Sequence, residues 1–321
     1  MGLRIQTNVQ SLMAQKNLGI STKNNEESME KVSSGYRINK ASDDAAGLAI
    51  SDRLKSDIRG LNMAKRNAND GISVIQTAEG GMNEITNILT RLRELSVQGA
   101  SDTIGNTERG FIHKEFNSLK DEIDRITVST EYNGTMLLSG GLEGLPESLS
   151  KHSNLPPLEI QVGKNWNAET DGANAGGEYG RNPINVIRVN FDKMNTGTGV
   201  NGLNIGGSSD ESIDSTGVFM AGNEKDSKLR AQQTITKLDQ ALEKVAGYRS
   251  DLGSVQSRLN STVSNLSTQT ENYSAANSRI RDTDFAEETA KLTQSNILKQ
   301  AGVSILSQAN QSPTAALSLL R

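Results

Sequence analysis

The five prolines of this chain fall at 146, 156, 157, 183 and 313, so the first 145 residues and the stretch from Asn185 to Ser312 are free of the strongest helix breaker. An apolar period fills both stretches. In the first, Leu54, Ile58, Leu61, Ala64, Ala68, Ile72, Ile75, Ala78, Met82, Ile85, Leu89 and Leu92 follow one another in steps of three or four, which places them on one face of one helix. In the second, Ala231, Ile235, Leu238, Leu242, Val245, Tyr248, Leu252, Val255, Leu259, Val263 and Leu266 do the same. Both mean steps lie near the roughly 3.5 residues of a left-handed coiled coil, which makes the two seams natural partners. About 50 helical residues at about 1.5 Å each span roughly 75 Å. A globule of 321 residues would be only about 50 Å across, from a radius of gyration of about 20 Å. The expected fold is therefore mainly α: an elongated antiparallel helical bundle or coiled coil formed by the N- and C-terminal segments.

Hydrophobic residues make up 34% of the chain and aromatics 3%. Such a composition can seal narrow helical seams but supplies little for a broad core, so part of the apolar surface is expected to find its partner in another copy. The net charge of -4 comes from 34 basic and 38 acidic residues spread along the chain, with no basic block; nucleic acid is not an expected partner. No apolar run approaches the roughly 18 residues of a membrane span, and the start lacks an apolar core with a small-residue cleavage site. The expectation is a protein without membrane insertion or cleaved signal. With no cysteine there is no disulfide or thiolate metal site.

Residues 5 to about 34 carry a thinner pattern of Ile5, Val9, Leu12, Leu18, Met29 and Val32, ending at Gly35, a left-handed C-cap candidate. Ser42 is the predicted N-cap of the long helix, with Asp43 and Asp44 set against its N-terminal dipole. That helix is expected to run to about Gln98. A third helix reads from Ile112, Phe116, Leu119, Ile123 and Ile126, and Tyr132-Asn133-Gly134-Thr135 reads as a turn. Residues 140 to 222 hold about half of the 30 glycines and four of the five prolines, predicting a small β-rich, loop-rich excursion at the far end of the rod, with strand candidates Leu158 to Val162, Ile184 to Phe191 and Leu203 to Ile205. Because the chain leaves through this region and returns, the two long helices are antiparallel and the termini lie together. At the end, Leu298, Ala301, Ile305 and Ala309 share a helical face, and Ser312-Pro313 is expected to restart a short helix.

Glycines 47, 60, 71, 80 and 81 lie in or beside the first long seam, where an interior glycine costs roughly 1 kcal/mol relative to alanine; close helix-helix approach or a local break is the expected reason. Gly197-Thr198-Gly199-Val200-Asn201-Gly202 matches G-x-G-x-x-G, but no helix pattern follows it, so a turn is the reading. His113 and His152 form no pair with metal-ligand spacing. Neither a cofactor, a metal nor a catalytic residue is predicted, and an enzyme has no visible nucleophile-base pair to stand on.

The ends also carry specific motifs. Ser33-Ser34-Gly35 precedes Arg37-Ile38-Asn39-Lys40-Ala41-Ser42-Asp43-Asp44-Ala45-Ala46-Gly47-Leu48; Arg66-Asn67-Ala68-Asn69-Asp70-Gly71-Ile72-Ser73 and Arg93-Glu94-Leu95-Ser96-Val97-Gln98 follow. Near the end stand Ser278-Arg279-Ile280-Arg281-Asp282-Thr283-Asp284-Phe285-Ala286, Gln300-Ala301-Gly302, Gln308-Ala309-Asn310-Gln311 and Leu317-Ser318-Leu319-Leu320-Arg321. This set, over roughly residues 1 to 140 and 225 to 321, resembles bacterial flagellin.

The resemblance implies an extracellular structural subunit that assembles into the helical flagellar filament for motility, exported through the flagellar secretion channel. It divides the chain into 1–43 and 278–321 as the inner coiled coil, 44–139 and 225–277 as the helical bundle, and 140–224 as an outer region. Inner assembly contacts are then expected from Ile5, Val9, Leu12, Leu298, Ala301, Ile305, Leu306, Ala309, Leu317 and Leu320. Implied partners are further copies of the chain, an export chaperone, the filament cap and hook-filament junction proteins. The Toll-like receptor that senses flagellin is another, with contacts matched by Arg91, Leu95 and Glu115. The alternatives are a hook-filament junction or other flagellar axial protein, which would share terminal heptads but not the whole motif set, and a secreted coiled-coil binding module.

Overall fold

The computed structural model describes residues 8–139, 158–165, 185–191, 194, 203, 205 and 224–318. Its elements run α1 Val9–Ser34, α2 Ala45–Gly99, α3 Asn106–Ser129, β1 Glu131–Tyr132, β2 Thr135–Met136, β3 Leu158–Gln161, β4 Val186–Val189, α4 Glu224–Arg281 and α5 Phe285–Ser318. The side chains of 224–227 and 312–318 lie outside the description, as do Ile5, Leu320, His152, Trp166 and the glycine-rich 197–202. Two compact units divide the chain: Met1–Arg59 with Gln269–Arg321, and Gly60–Thr268.

The unit Gly60–Thr268 is held by the predicted seams. Leu61, Ala64, Ala68, Ile75, Ala78, Met82, Ile85, Leu89 and Leu92 of α2 are all buried. On α4 every seventh residue from Ala231 is buried: Ala231, Leu238, Val245, Leu252, Leu259 and Leu266 are each at most 5% exposed, with Thr234 and Ala241 buried beside them. Between them Ile235, Leu242, Tyr248, Val255 and Val263 are half-buried. That is a heptad in which one apolar position faces the partner squarely and the other sits at its edge. Full burial of one such side chain is worth roughly 1.5–3 kcal/mol, so this seam dominates the unit's stability. The helices are antiparallel, as Arg93 Nε to Asp239 Oδ1 at 2.7 Å and Arg249 to Glu79 at 3.7 Å show.

Helix α3 lays Ile112, Phe116 and Ile123 into the same core. Its buried Arg109 donates from Nε to the Gly99 carbonyl at 3.1 Å and from Nη2 to the Ser101 carbonyl at 2.9 Å, satisfying acceptors that the end of α2 leaves open. The predicted turn after α3 is a two-residue hairpin with φ 52° at Asn133 and 78° at Gly134, the signature of a type I′ turn.

Strands β3 and β4 pair antiparallel, Leu158 opposite Val189 and Gln161 opposite Val186. They correct the expectation of an excursion at the far end, because Ile160, Val162, Ile187 and Val189, with Met194, Leu203 and Ile205, join the helical core. No strand is found at 203 and 205, although both residues are buried. The attachment explains part of the Arg66–Ser73 motif. Asn67 Nδ2 donates to the Gln161 carbonyl at 3.1 Å, and a Cβ at Gly71 would run into Ile160 Cδ1. Gly81 likewise leaves room for Leu138 and Thr130, whereas Gly80 faces open space. Gly71 and Gly81 admit side chains from a strand and from the segment after α3, and are not sites of helix-helix approach.

In the unit Met1–Arg59 with Gln269–Arg321, α1 ends as predicted: Gly35 has φ 74° and donates to the Lys31 carbonyl. The N-cap of α2 is Asp44, whose Oδ1 accepts from Gly47 N at 2.9 Å, and not Ser42. Asp43 folds the preceding loop, its Oδ2 accepting from the backbone of Asn39 and Lys40 at 3.0 and 2.9 Å. Ile38 is buried above Gly47, where a Cβ would meet it. The loop is tied to the end of α4 by Arg37 N to the Arg281 carbonyl and by the Arg281 guanidinium 4.6 Å from the Tyr36 ring centre. Asp284 caps α5 through Ala286 N at 2.9 Å. Helix α5 then continues through 312–313 to Ser318 instead of restarting at Ser312-Pro313; a proline removes one donor, and the flanking turns keep their bonds.

Candidate assembly surface

Helices α1 and α5 run antiparallel. Asn8 Nδ2 donates to the Ala309 carbonyl at 2.8 Å, Ser11 Oγ to Asn310 Oδ1 at 2.7 Å, and Asn25 Nδ2 to Asn296 Oδ1 at 2.9 Å. The face α1 turns inward is short and mostly polar. Ser11, Ala14, Leu18 and Thr22 are half-buried, and Asn25 and Ser28 are buried. From α5 it meets Glu288, Leu292, Ser295, Gly302, Leu306 and Ala309. At Gly302 an added Cβ would stand 3.2 Å from Leu18 Cδ1 and 3.7 Å from its Cβ, so small side chains let the two helices close up.

The large apolar side chains point the other way. Val9, Leu12, Met13, Ile20 and Met29 on α1, and Ile297, Leu298, Val303 and Ile305 on α5, are all 50% exposed or more. Scattered exposed apolar residues are ordinary, but two rows of them along paired helices are the mark of a surface meant for another chain.

Of the expected assembly residues, Val9, Leu12, Leu298, Ala301 and Ile305 are exposed, while Leu306 is half-buried and Ala309 buried on the α1 side. The face drawn through Leu298, Ala301, Ile305 and Ala309 is therefore split between the outside and the seam. Ile5, Leu317 and Leu320 lie outside the described side chains. Ser11, Ala14, Leu18, Thr22, Asn25 and Ser28 follow one another in steps of three and four, but four of the six are polar, so apolar periodicity carries no signal for this seam.

In the other unit, Arg91 Nη2 lies 2.9 Å from Glu115 Oε1 and its Nη1 3.0 Å from Glu94 Oε2, on an exposed surface. The hydrogen bonds that Arg91 donates to Glu115 and then to Glu94 hold the pKa of its guanidinium above the ordinary value. Leu95 is 2% exposed and belongs to the core, so its side chain stands beneath this surface and not on it.

Among the described residues no helix is long and apolar enough to cross a membrane. The family profile of the bacterial flagellin N-terminal helical region matches residues 5–142, and that of the C-terminal helical region residues 235–320. Polar flagellin A of Vibrio parahaemolyticus is 37% identical with 100% of both chains covered. Flagellin B of Vibrio anguillarum is 38% identical, again over 100% of each. Among solved structures, a putative flagellar hook-associated protein from Vibrio parahaemolyticus matches 75% of this chain and 100% of its own at a TM-score of 0.56; at 13% identity this likeness concerns the fold alone. With both helical ends matched and full-length identity to these relatives, the chain belongs to the bacterial flagellin family.

Proposed function

We propose that this chain is the structural subunit of a bacterial flagellar filament, working by self-assembly and mechanical propulsion outside the cell. The observation that carries the reading is the inverted terminal pair: α1 and α5 meet through small and polar side chains and leave Val9, Leu12, Met13, Leu298 and Ile305 outside. Removing such side chains from water supplies on the order of 25 cal/mol per Å², and a second copy of the chain carries the same apolar residues to meet them. The seam of Gly60–Thr268 provides the rigid part, already packed before assembly. Identity along the whole chain to flagellins favours the filament over the hook-filament junction.

Export through the flagellar secretion channel without a cleaved signal, passage with a chaperone, and addition beneath a filament cap after junction proteins follow from the same reading. For the Toll-like receptor, the paired Arg91 and Glu115 offer the exposed charged surface, with Leu95 supporting it from below. The deciding experiment is seeded growth of the purified chain followed by electron microscopy. Concentration-dependent filaments are expected, and Ile305→Asp should stop them by placing an unpaired charge in a dry contact. Filaments growing from Ile305→Asp at unchanged critical concentration would show that this face stays in water.

A further inference from the structure

The α1–α5 seam contains a polar contact whose placement is costly unless it does something. Asn25 is 5% exposed in the middle of α1's inward face, and its amide reaches Asn296 Oδ1 at 2.9 Å, on the edge of the facing row. Leucine branches at the same carbon with as many side-chain heavy atoms, is apolar, and is the better helix former. An asparagine in a helical seam tolerates only those registers in which its amide meets a partner, because a buried amide left unpaired costs far more than a paired one contributes.

Two other features favour the native register: Leu18 packs on Gly302, and Thr283 N donates to the Gly35 carbonyl where α5 begins. Elsewhere Ser11, Ala14, Thr22 and Ser28 and the facing Ser295 and Ala309 are small on both sides, so there a slide of α5 along α1 by one heptad would juxtapose similar shapes. A slip of seven residues displaces the partner row by about 10 Å and carries every outward apolar residue of α5 with it. We propose that Asn25, through its bond to Asn296, is a register-determining residue of the terminal helix pair beyond the junction at Gly35, holding the α1 and α5 outward residues in the one alignment that a neighbouring copy can receive. It acts as a positioning residue and touches no partner itself. The proposal rests on the filament reading for its purpose but not for its geometry.

The chain has no cysteine, so register can be read by disulfide trapping without background. A Cβ at 302 lies 3.7 Å from Leu18 Cβ, within the spacing a disulfide needs. Leu18→Cys with Gly302→Cys therefore reports the native register; Leu18→Cys with Ser295→Cys or with Ala309→Cys reports slips of one heptad. Each pair is placed in the full-length chain, with Asn25 and Asn296 intact or as Asn25→Leu/Asn296→Leu, and briefly oxidised both in solution and after seeded growth. With the asparagines intact, native cross-links should exceed slipped ones by about tenfold or more, the ratio that one unpaired buried amide imposes. With leucines, slipped cross-links should rise to within about threefold of native while helicity by circular dichroism is unchanged, and seeded elongation of the cysteine-free variant should fall at least about fivefold. Exclusively native cross-links in the leucine background would overturn the proposal, as would slipped cross-links accompanied by unchanged elongation. A chain with intact asparagines that never grows filaments, yet traps only the native pair, would instead count against the filament reading and leave the register assignment supported.

Discussion

In the unit Gly60–Thr268, the interior of the helical seams is mostly large and apolar, from leucine, isoleucine, valine, methionine and phenylalanine with alanine, the polar Ser96, Thr127 and Thr234 being interspersed, and charged pairs such as Arg93 with Asp239 lie at the rim. In the unit Met1–Arg59 with Gln269–Arg321, the buried apolar side chains among the described residues are Ile38 and Ala309, whereas Asn25, Ser28, Ser51 and Glu288 are buried polar ones. Even where α2 and α4 meet in this unit, Ser51 Oγ donates to Asn277 Oδ1 at 2.8 Å. The two arrangements answer different needs. A seam of leucines is stable by itself; a seam of asparagine, serine and glycine is weak by itself and reserves its apolar side chains for a second partner. The difference teaches that paired helices of equal regularity can be either a finished core or half of one, and that the side facing water decides which.

The strongest way to break this contrast is to delete Phe285 to Arg321. The shortened chain should stay folded in Gly60–Thr268, with its thermal transition retained, and form no filaments at all; normal filaments by electron microscopy would remove the terminal pair from assembly.

Next in size are two matched substitutions. Leu252→Ala, in the finished core, should cost about 2–5 kcal/mol and lower the melting temperature by roughly 5–15 °C in a domain of this size. Leu298→Asp, on the reserved face, should leave that transition within about 1 °C, since an exposed substitution changes stability little, yet raise the critical concentration by more than about 100-fold. Calorimetry and sedimentation of the polymer read the two effects, and equal effects of both substitutions on melting would erase the distinction.

A smaller effect is expected at Gly71. Valine there meets Ile160, an overpacking that costs about 1–3 kcal/mol, and Ile160→Ala in the same chain should recover at least half of the lost stability in a denaturant titration. Failure of that rescue would mean that β3 is not what the glycine accommodates.

The smallest concerns pH. Hydrogen bonds from the Lys40 and Asn39 backbones hold the Asp43 carboxyl below its ordinary value of 3.8. A depressed carboxyl contributes stability that is present above the unfolded value and lost as pH falls through the folded one. The amides of Asn39 and Lys40 should therefore lose exchange protection only below about pH 4, and Asp43→Asn should flatten that dependence; an unaltered profile in Asp43→Asn would place the titrating group elsewhere.

Much of the helical framework was readable from local signals. Gly35 and Asn133-Gly134 need positive φ and advertise it by residue type, and the α2 and α4 seams repeat often enough to be unmistakable. What escaped depends on residues distant in the chain. Asp44 caps α2 because Asp43 is occupied by the loop from Asn39, which leaves Ser42 outside the helix start. Gly71 needs Ile160, and Arg109 needs the carbonyls that α2 leaves behind. The inverted face of α1 escaped for a related reason: hydrophobic period assigns the apolar row to the interior, and only the partner helix reveals that Asn25 and Ser28 are inside.

Hydrogen exchange measured on the same chain before and after polymerisation tests the central contrast most directly. The predicted result is that α1 and α5 exchange rapidly in the soluble subunit and become protected in the filament by at least about 100-fold, while α2 and α4 within 60–268 are protected in both states. Protection of α1 and α5 that is already high in the soluble subunit and unchanged in the filament would contradict it, because the terminal pair would then be a finished core with no face held in reserve.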